Sequence, residues 1–448
     1  MKKVLIANRG EIARRIIRTC REKGIATVAI YSDADQEMPY VREADEAVHI
    51  GPPPVPHSYL NIEAILAAAK KCQADAIHPG YGLLSENESF ARRVLEEGIV
   101  FIGPTPEVIG QMGDKLTARR IMQQAGIPVV PGCDQPVETG DEAVQMAKSI
   151  GFPVMLKASA GGGGIGMQIC RDEEELRQAF QSARGRAKAY FGNDAMYVEK
   201  YVERPHHIEV QIAGDQAGQV IHLLERECSI QRRHQKVVEE SPSPFLDKET
   251  REALCQAAVQ AGKAVGYTGV GTVEFIVDEQ KSFYFLEMNT RLQVEHPVTE
   301  EMIGLDLVAL QLEIAQGKAL SVAQEDIHAK RHAIELRVYA EDPVTFLPSP
   351  GTITLYQAPG LEHVRIDDGV ETGTKVTPFY DPMIAKVISS GSTREEAIQR
   401  ARLAMQQYLI TGIKTNIPFL LEVLEDERFI AGQYNTWFIQ ERKPKSTI

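Results

Sequence analysis

Glu287-Met288-Asn289-Thr290-Arg291-Leu292-Gln293-Val294-Glu295-His296 is the stretch on which the reading of this chain turns. Side chains alternate faces along an extended segment. Glu287, Asn289, Arg291, Gln293 and Glu295 then share one face, and Met288, Leu292 and Val294 share the other. A row of polar and charged groups within apolar sequence is costly to bury without partners. Two readings fit: a solvated edge strand, or one wall of a site. The segment upstream favours the wall. Gly271-Thr272-Val273-Glu274-Phe275-Ile276-Val277, a polar turn at 278–282 and Phe283-Tyr284-Phe285-Leu286-Glu287 read as a β-hairpin. If Glu274 pairs with Glu287, Ile276 pairs with Phe285. Like charges directly opposite destabilise a sheet, and a divalent cation removes the conflict. Two carboxylates with the amide oxygen of Asn289 form a hard oxygen set, suited to magnesium carrying a nucleotide phosphate rather than to zinc.

The 448 residues are enough for two or three domains. A hydrophobic fraction of 43% and a charged fraction of 25% are ordinary for a soluble globular protein. The net charge of −13 argues against nucleic acid as the main partner, so any anion site must concentrate its basic residues locally. Cys20, Cys72, Cys133, Cys170, Cys228 and Cys255 are scattered, with no C-x-x-C pair. That spacing predicts reduced core thiols in the cytoplasm, not a disulfide framework or a zinc site. Met1-Lys2-Lys3 leads straight into a short strand, which does not resemble a signal peptide, and no run is long enough to cross a membrane.

The chain reads as α/β, with α+β character in its middle. Residues 3–7 form a buried strand, Asn8-Arg9-Gly10 a turn, and Ile12, Ile16, Ile17 and Cys20 recur at helical spacing. Residues 27–31 form a second strand, giving a βαβ unit whose strands should be parallel. It lacks G-x-G-x-x-G, so a dinucleotide site is not expected there. Punctuation at Gly103-Pro104-Thr105-Pro106, a helix from about Asp114 and a Pro- and Gly-rich hinge at 126–136 divide the chain. The expected regions are 1–113, a parallel-sheet domain; 114–330, with a small lobe at about 130–203 containing a helix at 141–149 and a strand at 153–158; and 331–448, strand-rich and ending in a helix at 394–409.

Four further segments carry chemistry. Lys157-Ala158-Ser159-Ala160-Gly161-Gly162-Gly163-Gly164-Ile165-Gly166 joins two strands, and glycine lets backbone N–H groups approach a phosphate. It is not a P-loop, because no Gly-Lys-Ser/Thr is present. It is either a flexible hairpin tip or a lid over a triphosphate. Glu199-Lys200-Tyr201-Val202 is either a plain exposed strand or the holder of an adenine edge. His206-His207-Ile208-Glu209-Val210-Gln211 and Gln231-Arg232-Arg233-His234-Gln235-Lys236 concentrate cations in an acidic chain. The second reads as one strand or loop with two basic faces, and is either a solvated loop or a set of preplaced cations for a phosphoryl group or bicarbonate. Arg337 stands in the apolar strand Ala333-Ile334-Glu335-Leu336-Arg337-Val338-Tyr339-Ala340, where a charge is either structurally paired or functional.

Together these segments resemble the biotin carboxylase family of the ATP-grasp superfamily over essentially the whole chain. Ala7-Asn8-Arg9-Gly10-Glu11-Ile12-Ala13, His78-Pro79-Gly80-Tyr81-Gly82 with Leu84-Ser85-Glu86-Asn87, Arg232-Arg233-His234-Gln235-Lys236 and Glu287-Met288-Asn289 through Val294-Glu295-His296-Pro297 carry the resemblance. It implies an N-terminal Rossmann-like domain, an ATP-grasp domain with a mobile glycine-rich lid, and a strand-rich C-terminal domain. It also implies ATP- and bicarbonate-dependent carboxylation of biotin at N1′ on a biotin carboxyl carrier protein. Lys115, Lys157, Gly162, Gly163, Gly164, Gly166, His207, Gln231 and His234 would contact the nucleotide, with Glu199, Lys200 and Val202 at the adenine. Glu274 and Glu287, with Asn289 close by, would hold Mg2+ or Mn2+. Lys236, Arg291, Gln293 and Val294 would bind bicarbonate, Glu295 would be the base, and Arg337 would stabilise the biotin enolate.

One position departs from the pattern: the family usually carries a basic residue where this chain has Ile165. The expectation is a retuned lid, so Ile165→Arg should raise ATP affinity or turnover. No Met-Lys-Met biotinylation motif occurs, so the carrier and the carboxyltransferase subunits are expected on separate proteins, in the usual context of an acetyl-CoA carboxylase. A homodimer is also expected, with Arg15, Glu22 and Arg365 at positions the family uses for its interface. Three other readings stay open: the biotin carboxylase subunit of a propionyl-, methylcrotonyl- or pyruvate-directed enzyme, a different ATP-grasp ligase, and a regulatory ATP-binding paralogue.

Overall fold

The computed structural model of this chain describes residues 1–133, 135–158, 167–191 and 193–442. The glycine run, and with it Gly162, Gly163, Gly164, Ile165 and Gly166, lies outside the described residues.

The N-terminal part is built on a five-stranded sheet in the order Glu46–Gly51, Ala26–Ser32, Lys3–Ile6, Ala76–His78, Val100–Phe101. All four pairings are parallel, as the βαβ reading requires. Chain order reverses between Lys3–Ile6 and Ala76–His78, and ligand crevices form outside the carboxyl ends of strands at such a switch point. Here the two turns are bonded to each other: Asn8 Nδ2 donates to the carbonyls of Pro79 and Tyr81, both at 2.8 Å. Gly80 makes this possible, with φ of +63° and no room for a Cβ, which would meet Asn8 Nδ2 at 2.8 Å.

The centre of the molecule is an antiparallel sheet of eight strands. Its order is Phe283–Asn289, Gly269–Val277, His206–Gly214, Val220–Arg232, Gln235–Ser241, His332–Tyr339, Met383–Gly391, Val364–Asp368. The sheet runs unbroken across position 331. One continuous core beneath it includes Ile334, Leu336, Val387, Leu292 and Val298. A separate three-stranded sheet, Gln168–Cys170, Val154–Ala158 and Met196–Lys200, packs on the helices Gly140–Ile150 and Glu173–Phe191 and forms the small lobe. Thr139 and Glu142 start the first of these helices with a reciprocal capping box. All six cysteines are buried and unpaired. Among the described residues no helix is long and apolar enough to cross a membrane.

Four expectations need correction. Glu274 does pair with Glu287, but Phe275 then pairs with Phe285 and Ile276 with Tyr284. A β-bulge leaves Leu286 unpaired, so Phe285 packs in the core beside Phe275 while Glu287 lines the cavity. Second, residues 287–296 are not one extended segment. The strand ends at Asn289, and the helix His296–Ile303 opens with Glu295 at its N-cap and Pro297 in its first turn. Third, residues 231–236 are a hairpin, not one strand with two basic faces. Arg233 and His234 form its two-residue turn, at φ of 50° and 66°. Two left-handed residues suit the twist of a tight hairpin, although non-glycine residues there cost about 1–3 kcal/mol each. Fourth, the helix Arg394–Gln407 is not the last element: Leu409–Thr411, Ile417–Leu424, Glu427–Ile430 and Phe438–Glu441 follow it.

Candidate active site

A cavity of about 1210 Å³ opens between the small lobe, the eight-stranded sheet and the switch point of the parallel sheet. That is more than the few hundred Å³ one small ligand needs. Val130, Met155, Met167, Ile169, Tyr197 and Leu286 give one end an apolar lining. The other end is lined by charge, from Lys236 to Arg337.

The charged end follows from strand register. Glu287 pairs with Glu274, Glu274 with Glu209, and Glu209 with Arg226, so three carboxylates and a guanidinium form a row across four strands. Opposed acids demand cations. Arg226 is fully buried and donates to Glu209 at 2.5 Å, Gln211 at 2.7 Å, Thr299 at 2.8 Å and Thr272 at 3.1 Å. Lys236 Nζ reaches from the neighbouring strand to Glu209 at 2.5 Å, Glu274 at 2.8 Å and Glu295 at 2.6 Å. His207 bonds Glu274 at 2.7 Å, and Gln231 Nε2 bonds His207 Nδ1 at 2.8 Å.

Glu287 gets less support. Burial and the charge of Glu274 raise its carboxyl above the ordinary range, against the pull of Lys115. For Glu274, burial also opposes ionisation, but Lys236 and His207 outweigh it and hold the group well below that range. Two facing carboxyls pushed in opposite directions are what a divalent cation between them would reconcile, and their oxygens are the donors magnesium or manganese takes. Asn289 stands beside the pair, but it turns Nδ2 to Glu274 at 3.0 Å and its Oδ1 accepts from Arg291 at 2.7 Å. Two other groups have metal-ligand spacing: His207, Glu209 and Glu274, and Glu209, Cys228 and Glu295, each within 4.8 Å. Their carboxylates already hold Lys236, and burial keeps the Cys228 thiol protonated, so both read as ion-pair network.

The loop 290–295 brings the remaining residues together. Arg291 donates to Gln293 at 2.7 Å and to Glu86 at 2.8 Å, and Gln293 Nε2 donates to Glu274 at 2.9 Å. Glu295 is 1% exposed. One of its oxygens accepts from Lys236 at 2.6 Å and the other from Arg337 at 3.0 Å. Burial opposes its ionisation, yet Lys236, Arg337 and Arg226 outweigh burial and hold the carboxyl well below its usual range. Arg337 also ion-pairs with Glu239 at 2.6 Å, so it is both structurally paired and part of the cavity wall.

The structure gathers every described residue singled out from the sequence for nucleotide, metal, bicarbonate or biotin into this one cavity. Lys115 lines it from the first turn of the helix Lys115–Gln124, capped by Asp114. A lysine there opposes the helix dipole. Lys157 ion-pairs with Glu199, and Lys200 donates to the carbonyls of Gly151 at 2.9 Å and Phe152 at 3.1 Å. Val202, Val294 and His234 line the cavity too. Arg15, by contrast, is turned inward: it is buried and bonded to Glu300 at 2.6 Å, whose other oxygen accepts from Arg365 at 2.7 Å. Sequence reasoning assigned no role to Glu209, Arg226, Glu239, Glu86 or Lys386. Charges within apolar strands, the criterion that picked out Arg337, would also have flagged Arg226 and Lys386.

Residues 1–109 match the family described as biotin carboxylase, N-terminal domain, and residues 335–441 match the biotin carboxylase C-terminal domain. Between them, residues 114–323 match the carbamoyl-phosphate synthase L chain, ATP binding domain. A biotin carboxylase from Halalkalibacterium halodurans is 60% identical over 438 residues, covering 98% of this chain and 97% of its own. The chain belongs to the biotin carboxylase family. As a member it is an ATP-dependent carboxylase.

Solved biotin carboxylases have the same fold. The Campylobacter jejuni biotin carboxylase, crystallised as a β,γ-ATP complex, superposes with a TM-score of 0.96 at 47% identity, covering 98% of this chain and 99% of that one. The biotin carboxylase domain dimer of Hydrogenobacter thermophilus 2-oxoglutarate carboxylase, in complex with MgADP, ADP and bicarbonate, gives 0.93 at 49% identity, covering 98% and 97%.

Proposed function

We propose that this biotin carboxylase transfers the carbon of bicarbonate to N1′ of biotin borne on a separate carrier protein, driven by cleavage of ATP. The observation that carries the reading is Glu295, a buried carboxylate touching Lys236 with one oxygen and Arg337 with the other. It stands where a bicarbonate half-site and a biotin half-site would meet.

The nucleotide takes the length of the cavity. Its base lies at the apolar end by Glu199, Lys200 and Val202, and its phosphates run toward Lys115, Lys157, His207, Gln231 and His234. Glu274 and Glu287 would hold a divalent cation, with Asn289 at its edge, and the cation would neutralise phosphate charge as the terminal phosphoryl group transfers. Lys236, Arg291, Gln293 and the Val294 backbone bind bicarbonate. In doing so Lys236 and Arg291 turn from carboxylates to substrate. Glu295 then loses part of the cationic field that suppresses its basicity and takes the bicarbonate proton. The oxyanion attacks the γ-phosphate, the P–O bond to ADP breaks, and carboxyphosphate forms. Carboxyphosphate splits into carbon dioxide and phosphate. Phosphate removes the N1′ proton of biotin, Arg337 stabilises the enolate, and N1′ attacks carbon dioxide. The intermediate is short-lived, so the cavity must close against water, which gives the glycine run at 161–166 its part as lid.

The protein is further proposed to act in the cytoplasm as a homodimer with carboxyltransferase subunits, as the first half-reaction of an acetyl-CoA carboxylase, supplying malonyl-CoA for fatty acid synthesis. The related Hydrogenobacter domain belongs to a 2-oxoglutarate carboxylase, and the acceptor is tested by reconstitution. Purified chain, combined with the carrier and carboxyltransferase from the same cell, should carboxylate acetyl-CoA. Transfer to propionyl-CoA, pyruvate or 2-oxoglutarate instead would keep the biotin chemistry and change the pathway.

A further inference from the structure

Lys386 lies in the middle of the strand Met383–Gly391 and has no exposed surface. Burying an ammonium costs several kcal/mol unless it is paired and bonded. Its Nζ donates to the carbonyl of Val294 at 2.8 Å and stands 3.2 Å from Glu11 Oε1. That carboxylate also accepts the Tyr81 hydroxyl. Burial lifts the Glu11 carboxyl and Lys386 pulls it back. Three distant stretches of chain therefore converge on one buried cation: the helix Gly10–Glu22, the loop 290–295 and the central sheet. Their approach is built in closely, since a Cβ on Gly369 would stand 2.7 Å from the Glu11 backbone nitrogen.

Two features set this cluster apart from a simple cross-brace. The Val294 carbonyl belongs to the peptide that leads directly into Glu295. Arg337 is also the cross-strand partner of Lys386, so the guanidinium bound to Glu295 and the ammonium that holds its backbone sit side by side on adjacent strands. The loop 290–295 lies outside the strands and helices; the backbone N–H groups of His296 and Val298 bond the carbonyls of Gln293 and Glu295, whereas the carbonyl of Val294 is bonded by the Lys386 side chain.

Building on the carboxylase reading, we propose that Lys386, seated by Glu11, is a positioning residue. It fixes the Val294–Glu295 peptide so that the Glu295 carboxylate stands between the bicarbonate and biotin half-sites. It touches neither substrate.

The test compares wild type, Lys386→Met, and the charge-matched double variant Lys386→Met with Glu11→Gln, each assayed for bicarbonate-dependent ATP cleavage with and without free biotin and for MgATP binding and Tm. Neutralising both members of a buried pair restores much of the stability lost on removing one, so the double variant should fold even where the single one does not. A misplacement of about 1 Å can reduce a rate about 100-fold. The expected result is a double variant with near-wild-type Tm and MgATP affinity, but a biotin-dependent kcat lower by at least about 30-fold. A double variant that is both stable and fully active would reduce Lys386 to a structural brace and overturn the inference. Loss of MgATP binding in step with kcat would overturn it as well. Absence of biotin-dependent turnover in the wild type would instead strike at the carboxylase reading, so the two failures are distinguishable.

Discussion

Glu274 and Glu287 stand directly opposite each other on adjacent antiparallel strands, and the Glu287 carboxyl is raised by burial and by the charge of its partner. Such a pair destabilises the empty protein in the state the loaded protein needs. Divalent cation should therefore raise Tm at neutral pH, and Glu287→Gln should cancel that rise while reducing turnover by at least about 100-fold. Retention of most activity, or an unchanged response of Tm to Mg2+, would remove Glu287 from the metal site.

Arg337 serves two carboxylates, Glu239 and Glu295, inside the protein. Removing one member of a buried ionic cluster costs about 3–5 kcal/mol, so Arg337→Ala should be clearly destabilised in denaturant titration. In the fraction that folds, biotin carboxylation should fall far more than bicarbonate-dependent ATP cleavage. Equal loss of both would leave Arg337 with a structural part only.

The fold's outline was legible because it rests on local pattern. Alternation marked the strands, 3.6-residue spacing marked the helix after Asn8, and the Glu274–Glu287 pair followed from hairpin logic. What escaped notice depends on contacts distant in sequence. The bulge at Leu286 exists because Phe285 is drawn into a core shared with Phe275, and no local pattern encodes that. The turn at Arg233 and His234 contains no glycine to announce it; Arg232 fixes one side of it by pairing with Glu341 and stacking over Phe346 at 4.5 Å. The site residues were found by motif and resemblance. Arg226 and Lys386 carry the same sequence signal as Arg337, a charge within an apolar strand, but their partners, like those of Glu209, become visible only once strands far apart in sequence are aligned.

Acid stability should report on a buried cluster remote from the cavity. Glu240 is held at about 2, against burial, by His332, Arg394 and their hydrogen bonds. A depressed carboxylate contributes stability that is complete above its unfolded value of about 4.3 and is lost as pH falls through its folded one. Unfolding free energy should therefore drop between about pH 4.5 and 2. Glu240→Gln should cost about 3 kcal/mol at pH 7 and show a shallower fall over that range. Parallel curves for the two proteins would contradict the assignment.

Lys115 occupies a helix start that disfavours a cation, and Glu287 is the first group to offset its burial. Lys115→Met should weaken MgATP binding by at least about tenfold while Tm changes little, measured by calorimetric titration and thermal melts on the same samples. Unchanged affinity would place the phosphates elsewhere in the cavity.

One cavity is proposed to couple ATP cleavage to carboxylation of biotin through Glu295. The most direct measurement is ATP hydrolysis with Mg2+ and bicarbonate, with and without free biotin, on wild type and Glu295→Gln. Biotin should stimulate hydrolysis only when bicarbonate is present, and Glu295→Gln should bind MgATP normally but lose that stimulation. A protein that binds MgATP yet shows no bicarbonate-dependent response to free biotin or to biotinylated carrier, or a Glu295→Gln variant that keeps the full response, would contradict that coupling.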